Sequence, residues 1–401
     1  MKYKIPIGPV HPALKEPITI TCDLDGEEIV GVDVTASENH RGIEWIGMHR
    51  NNPVQSIYIA ERICGICNLC HPACLVMAVE EIADIEVPDR AEYIRVIEGE
   101  LERIHSHLLW AGVAAHELGF DTLLHYSWKV REHVMDILEL VNGNRVTKAI
   151  MMYGGVRRDI PEKKMPRIRE MLEEYRRLFG KIATLFLDDK TIKMRTRHIG
   201  ILTEKDALQL AAAGPTTRAS GVKKDVRQDV PYFAYPDFNV EAITPDILTG
   251  EVVGDTYDRI VVRLLEVKQS LDIIEQALDD MPEGDIASEE KIPKLLSQIK
   301  KAEGEAIGRH EAPRGEDIHY VKLQPGMDNL HTWKVRAPTY SNLMAWRPML
   351  MHEQIADIPI VAASIDPCMS CTNRAVTATG ATYNMEKLHE LSIQKTRRLT
   401  Q

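Results

Sequence analysis

Two cysteine pairs lie about 300 residues apart in this chain, Cys64 and Cys67 in "RICGIC" and Cys368 and Cys371 in "DPCMSC". If one site uses both pairs, the fold must carry two distant segments together and bury a soft-metal site between them. The first pair belongs to a longer run, "CGICNLCHPAC", with C-x₂-C-x₂-C-x₃-C spacing. Taken alone, that spacing is the ferredoxin-type loop that wraps an iron–sulfur cube. In such loops proline follows the fourth cysteine, which serves another cluster. Here Leu75 follows Cys74, "LVMAVEEIA" reads as a buried helix, and the chain has no second run of the kind. Structural zinc on the two C-x₂-C pairs is a second reading, although zinc ribbons separate their knuckles by roughly 15–20 residues. A redox-active centre is the third. Thiolates suit nickel and iron as well as zinc, so ligand type leaves the choice open.

Six of the seven cysteines fall in these two clusters, and Cys22 stands alone. A disulfide framework scatters its cysteines, so clustering points to metal or redox chemistry in a reducing compartment. Cys22 reads as a small buried hydrophobe. Net charge is −11, which excludes a basic nucleic-acid surface. Aromatics make up only 5%, too few for base-stacking platforms. No apolar run reaches the roughly 18–20 residues of a membrane span, and "MKYKIPIGPVHP" lacks a signal-peptide core. A soluble intracellular protein is expected, docked on a membrane through partners.

The expected fold is α+β, mainly α. "ITITCDL" and "EEIVGVDVTA", separated by the turn-forming "DGE", predict strands in a β-rich region over 1–87. A helical bundle is expected over 88–285. In it, Ile94, Ile97, Leu101, Ile104 and Leu108 form a buried stripe, with Asp89 and Glu92 as a capping box after Pro88 and Gly119 as the stop. Further helices are predicted over "WKVREHVMDILELVNG", "MPRIREMLEEYRRLFGKIATLFL" and "TYDRIVVRLLEVKQSLDIIEQALDDMPEG". The charges of "RIREMLEEYRR" read as a solvated face. A mixed region over 286–374 carries the second cysteine pair, "EAIGRHEAPRGEDIHY" is expected to be a loop and "IPIVAASI" a buried strand. A tail occupies 375–401.

"RICGIC" with His71 close behind it, and "DPCMSCTNR", resemble the large subunit of nickel–iron hydrogenases. The resemblance extends through "GPVHPALKEP", "HRGIEWIG", "GELERIHSHLL", "GGVRRDI", "GPTTRASG", "DVRQD", "YDRIVVR", "MPEG" and "EAPRGE". Several of these also resemble the 49-kilodalton subunit of respiratory complex I, which marks the energy-converting, membrane-associated branch (group 4) of the hydrogenases.

The resemblance implies the large-subunit fold and an oxidoreductase that interconverts H₂ with protons and electrons. It implies Cys64 and Cys368 as terminal thiolates on nickel. Cys67 and Cys371 would bridge to an iron that carries cyanide and carbon monoxide. Arg314 matches an arginine poised over the metals; its plainer reading is a surface ion pair with Glu311 or Glu316. Glu16 matches a first proton acceptor, as against a solvated loop carboxylate. His71 matches a histidine that bonds a bridging sulfur, as against a packed core histidine. Glu44 matches the ligand of a second metal such as magnesium, but Arg374 stands where that site takes a histidine. Cys70 and Cys74 fall outside the pattern and read as inert thiols, so Cys70→Ala and Cys74→Ala are expected to spare nickel. Implied partners are an iron–sulfur small subunit, ferredoxin or a ferredoxin-like subunit, ion-translocating membrane subunits, and a maturation protease that cleaves after Arg374. The implied location is peripheral, on the cytoplasmic side of the cell membrane. A sulfur-compound reductase of the same complex family and a zinc-binding scaffold remain the alternatives.

Overall fold

The computed structural model describes residues 2–12, 14, 16–36, 38–372 and 385–399. The chain opens with an antiparallel sheet in the order β1 (Lys2–Ile7), β2 (Thr19–Asp25), β3 (Glu28–Thr35). Strict alternation in β2 buries Ile20, Cys22 and Leu24, as the period of two requires. Burial, then the neighbouring Asp23, pushes the Cys22 thiol up to about 11. It is a packed hydrophobe, as expected.

Two short helices follow, α1 (Ile43–His49) and α2 (Pro53–Ala60), and then α3 (Cys70–Ala83). The bundle is built on α4 (Asp89–Glu117), with α5 (Asp121–Asn142) and α7 (Thr256–Asp279) packed beside it and α6 (Met165–Asp188) packed against those two. The stripe from Ile94 to Leu108 is buried as the periodicity predicts. The capping box is not formed. Pro88 is the N-cap and has no side-chain acceptor, so Asp89 and Glu92 are first-turn charges on the helix dipole, and Glu92 also faces Arg95 at 3.4 Å.

Unlike an ordinary amphipathic helix, α4 is covered on every side. Arg95, Glu98, Glu100, Glu102 and Arg103 are all buried. Buried charge is tolerated only when paired, so this helix dictates partners to its neighbours.

The C-terminal region corrects two expectations. "EAIGRHEAPRGEDIHY" is not a loop. It is the hairpin of β4 (Gly304–Ala312) and β5 (Gly315–Leu323), which β6 (Thr332–Arg336) extends to a three-stranded antiparallel sheet. Its charges and glycines resemble loop composition, but they are paired and buried. "IPIVAASI" is not a strand but the core of α8 (Ile358–Ser364), with Pro359 in its first turn, where the missing N–H costs nothing. Short apolar runs do not distinguish the two states.

At the tip of the hairpin, Ala312 pairs with Gly315 and leaves only Pro313 and Arg314 in the turn. Gly315 has φ +122 and lies backbone to backbone against Gly214 of "GPTTRASG". A Cβ on either would collide with the other chain segment. Asn342 locks the pair, bonding Ala213 N–H at 2.8 Å and the Arg314 carbonyl at 3.2 Å. Gly308 on β4 likewise lets the strand touch the Cys74 carbonyl of α3. One continuous core runs from Ile18 to Met369. Beyond it, α9 (Met385–Leu399) stacks His389 on Trp45 of α1 at 5.2 Å. The expected processing point, Arg374, lies outside the described residues.

Candidate metal centre

The segment leading into α3 carries Cys64 and Cys67, and the 3₁₀ turn after α8 is flanked by Cys368 and Cys371. The sulfurs of Cys64 and Cys368 are 3.2 Å apart, as are those of Cys371 and Cys368. Cys64 Sγ also accepts the N–H groups of Ile66 at 3.3 Å and Cys67 at 3.0 Å. All four cysteines are buried and none forms a disulfide. They make a small cluster of their own with Cys70, Ala312 and Ala337, apart from the main core.

Arg41 of "HRGIE" ties the two cysteine segments together. Its guanidinium donates to the carbonyls of Arg62 at 2.6 Å and Ile63 at 2.8 Å, and to that of Ser370 at 3.0 Å. Nothing in the local sequence singles it out, because its partners are backbone atoms on segments that meet only in the fold.

Arg314 projects from the hairpin tip into the thiols. Nη1 donates to Cys67 Sγ at 2.7 Å and Ser106 Oγ at 3.1 Å, while Nε and Nη2 grip Asp366 at 2.7 and 2.8 Å. Burial works against its charge, but Asp366 and the sulfurs of Cys67, Cys368 and Cys64 hold it well above the usual arginine range. It is therefore a fixed cation, not a surface ion pair. Glu311 is taken by Arg218 at 2.8 Å, and Glu316 faces Arg309 and Arg336 at 3.5 Å.

The thiols cannot all ionise together unaided. Burial opposes a charge on Cys64, yet hydrogen bonds from Cys368, Cys371 and Cys67, with Arg314 nearby, hold it well below the ordinary thiol value. The bond to Cys64 pushes Cys67 well up, and the bonds to Cys368 and then Cys64 do the same to Cys371. A cationic metal pair is what would ionise the whole set. Cys64, Cys368 and Cys371 bring their sulfurs within 4.8 Å of one another and fit a thiolate-bound metal centre, while the Cys67 sulfur beside them is held by Arg314.

The carboxylate of Glu16 accepts the N–H of Met369, the N–H of Ser370 at 3.3 Å and the Ser370 hydroxyl. It thereby caps the turn between Cys368 and Cys371. A cavity of about 400 Å³ passes from this carboxylate along Trp110, Val113 and Trp128 to Arg314 and Asp366. His71 brings Nε2 within 3.6 Å of Cys371 Sγ. Glu44 is placed differently. It accepts the Val335 N–H at 2.8 Å and faces Lys334 at 3.7 Å. Among the described residues it joins no group of three possible His, Cys, Asp or Glu ligands.

Cys70 and Cys74 lie on α3. Burial pushes the Cys70 thiol up to about 12, and its Sγ donates to the Cys67 carbonyl at 3.2 Å. Cys74 donates to the Asp317 carbonyl at 3.4 Å. Cys70 thus touches the thiol cluster, closer than a remote bystander would.

A second set of residues was hidden in "GELERIHSHLL" and beyond. Glu102 accepts the N–H groups of Leu69 at 2.7 Å and Cys70 at 3.2 Å, capping α3 from a neighbouring helix, and pairs with Lys148 at 3.3 Å. One turn earlier, Glu98 accepts from Asn142 at 2.8 Å, and burial pushes it up to about 7. The only trace in the sequence is that charges surround the apolar stripe of α4 on all sides.

Comparison with known proteins follows the same outline. Residues 117–374 match the family model of the respiratory-chain NADH dehydrogenase 49 Kd subunit, and residues 41–111 that of nickel-dependent hydrogenases. The chain is 49% identical to the membrane-bound hydrogenase subunit alpha of Pyrococcus furiosus, over 99% of this chain and 94% of the relative. It is 39% identical to the carbon monoxide-induced hydrogenase of Rhodospirillum rubrum, over 93% and 99%. Among solved structures, a chain of the membrane-bound sulfane sulfur reductase, an archaeal respiratory membrane complex, superposes with a TM-score of 0.85. That match has 30% identity and covers 93% of this chain and 98% of the other.

Two outcomes are expected from this geometry. Arg41→Ala should weaken metal retention by roughly 10- to 100-fold, as loss of a ligand-orienting residue does, measured by metal content after challenge with a chelator. Glu98 is protonated in the fold up to about pH 7 but only to about 4.5 when unfolded. Folding stability should therefore fall as pH rises from about 4.5 through 7. Glu98→Gln should remove that loss and exceed the parent at pH 8 by about 3 kcal/mol, read from unfolding at pH 5 and pH 8.

Proposed function

Because the chain belongs to the family that joins the 49-kDa subunit of the respiratory-chain NADH dehydrogenase to the large subunits of membrane-bound, energy-converting nickel–iron hydrogenases, we propose that it catalyses the reversible reaction H₂ = 2 H⁺ + 2 e⁻. The observation that carries this reading is the meeting of two distant cysteine pairs around one fixed cation. Cys64, Cys67, Cys368 and Cys371 would hold the metals, with cyanide and carbon monoxide on the iron. A bound nickel–iron centre supplies the redox chemistry that interconverts H₂ with protons and electrons.

The chain's own residues divide the remaining work. Arg314 is clamped from two sides, so its charge faces the site without reorganising. Glu16 is the carboxylate at the edge of the site, on the cavity that leads outward, and is assigned to take up or deliver protons there. His71 contacts Cys371. The thiols themselves are buried, which keeps bulk water from them.

Electrons need a carrier from outside. Of the seven cysteines, four are at the site, Cys70 and Cys74 are buried thiols beside it, and Cys22 sits on β2. None is left for an iron–sulfur relay. An iron–sulfur small subunit and a ferredoxin or ferredoxin-like subunit are the proposed electron partners, with membrane subunits moving ions. No helix among the described residues is long and apolar enough to cross a membrane; the peripheral place proposed for the chain, on the cytoplasmic side, rests on its likeness to subunits of membrane complexes. Maturation is proposed to end with cleavage after Arg374.

The solved relative described as a sulfane sulfur reductase supports a second reading, reduction of sulfur compounds at a related site. The natively purified complex distinguishes the readings. Nickel near one per chain, infrared bands of iron-bound cyanide and carbon monoxide, and H₂-dependent dye reduction are expected. Zinc as the sole metal, or polysulfide reduction with no H₂ activity, would overturn the proposal. Arg314→Lys should keep nickel but lower H₂ oxidation by roughly 100-fold, since one ammonium cannot reach Asp366, Ser106 and Cys67 together. Mass spectrometry should find the nickel-loaded chain ending at Arg374; a loaded chain ending at Gln401 would contradict the processing step.

A further inference from the structure

Behind the thiols lies an unbroken line of buried hydrogen-bonding groups, of which the proposed reaction uses only the last. Asp317 and His319 are two residues apart on β5, so both face α3. Trp333 comes from β6 and His71 from the first turn of α3. Trp333 Nε1 donates to His319 Nδ1 at 3.1 Å. His319 Nε2 is 3.5 Å from Asp317 Oδ2, and His71 Nδ1 is 2.7 Å from the same oxygen. The far nitrogen of His71, Nε2, is the atom 3.6 Å from Cys371 Sγ. Every member of the line is buried.

Donor chemistry places the protons. An indole N–H can only donate, so His319 Nδ1 offers its lone pair and Nε2 carries the ring proton, facing His71 Nδ1 at 3.3 Å and Asp317 Oδ2 at 3.5 Å. A lone pair on His71 Nδ1 would face the carboxylate oxygen at 2.7 Å, closer than His319 at 3.3 Å, so this nitrogen is protonated too and the two rings share Asp317 Oδ2. Burial alone would favour the neutral acid, but His71 and His319 hold Asp317 ionised, well below the usual carboxylate range.

A cation is the competing occupant, because Cys70, His71 and Asp317 bring possible ligand atoms within 4.8 Å of one another. It fits poorly. Placed against Asp317 Oδ2 it would meet the protonated Nε2 of His319, whose other nitrogen is already spent on Trp333. Cys70 turns its thiol to the Cys67 carbonyl.

We propose that Asp317, oriented by His319 and Trp333, is a positioning residue that fixes the His71 ring with Nδ1 on the carboxylate and Nε2 on the Cys371 sulfur, and so sets the electron density of that sulfur. The proposal rests on the reading of Cys371 as a metal ligand. A ligand thiolate accepts, so Nε2 donates to it, and the Asp317 charge supports the ring that does so. This is the arrangement by which a carboxylate behind a histidine tunes a metal site, here applied through sulfur.

The test uses the complete purified complex and the infrared bands of iron-bound carbon monoxide and cyanide. Asp317→Asn keeps the shape but loses the charge. It should retain nickel at parental occupancy and move the carbon monoxide band to lower wavenumber, because a weaker N–H···S bond leaves the sulfur more electron-donating. Asp317→Glu should return the band toward its original place. Trp333→Phe, which keeps Asp317 and removes only the tautomer lock, should shift the band in the same direction by less. It also carries the test should Asp317→Asn fail to load nickel. A parent complex without these bands overturns the nickel–iron reading, and this proposal with it. Bands present in the parent but unmoved in Asp317→Asn with full nickel, or in a loaded Trp333→Phe, overturn the positioning role alone. Stoichiometric zinc in the parent that Asp317→Asn abolishes would overturn it in favour of a second metal.

Discussion

Cys64 and Cys368 hold their sulfurs 3.2 Å apart across 304 positions of sequence, and the surrounding structure can be understood as what that contact demands. Two loops must meet with sub-ångström tolerance, in a place without water, while carrying charge. Loops alone do not hold such precision. Each is therefore anchored in a rigid element, α3 on one side and α8 on the other, and each is trapped by groups from elsewhere. Arg41 grips both backbones, Glu102 caps the start of α3, and Glu16 caps the turn between the second pair.

The hairpin that delivers Arg314 is held by a different means. Arg103 of α4 donates to the Glu311 carbonyl at 2.6 Å, while Arg218 takes the Glu311 carboxylate and Glu266. Arg227 in turn bridges Asp225 and Glu100. Buried ion pairs of this sort add little net stability, because desolvation offsets their attraction. Removing one partner is another matter, costing about 3–5 kcal/mol by leaving its mate buried alone. Such a network penalises wrong arrangements more than it rewards the right one. That suits a strand whose end must hold a guanidinium 2.7 Å from a sulfur.

What the sequence revealed follows the range of each interaction. The strands of the first sheet and the stripe on α4 were legible because period and burial are local. The cysteine pairs were legible because so few chemistries need two C-x₂-C motifs. "EAPRGE" was misread in structure though not in role: proline, glycine and charge signal a loop, and only the strand pairing of Glu311 with Glu316 shows a hairpin. "IPIVAASI" carried no period to decide between helix and strand. Asp317, Lys148 and Arg41 were invisible as partners, since each acts on a group more than 20 positions away that nothing nearby announces.

The wide separation of the two cysteine pairs also has a consequence in time. At a synthesis rate of about 5–20 residues per second, Cys64 leaves the ribosome roughly 15–60 s before Cys368. For that interval the first pair has no partner, and α3 and the hairpin can settle around a half-built pocket open to solvent. The last stretch of chain is thus the door of the site. The set of four thiols is complete only once α8 and its turn have been made and the turn has packed against α3 and the hairpin.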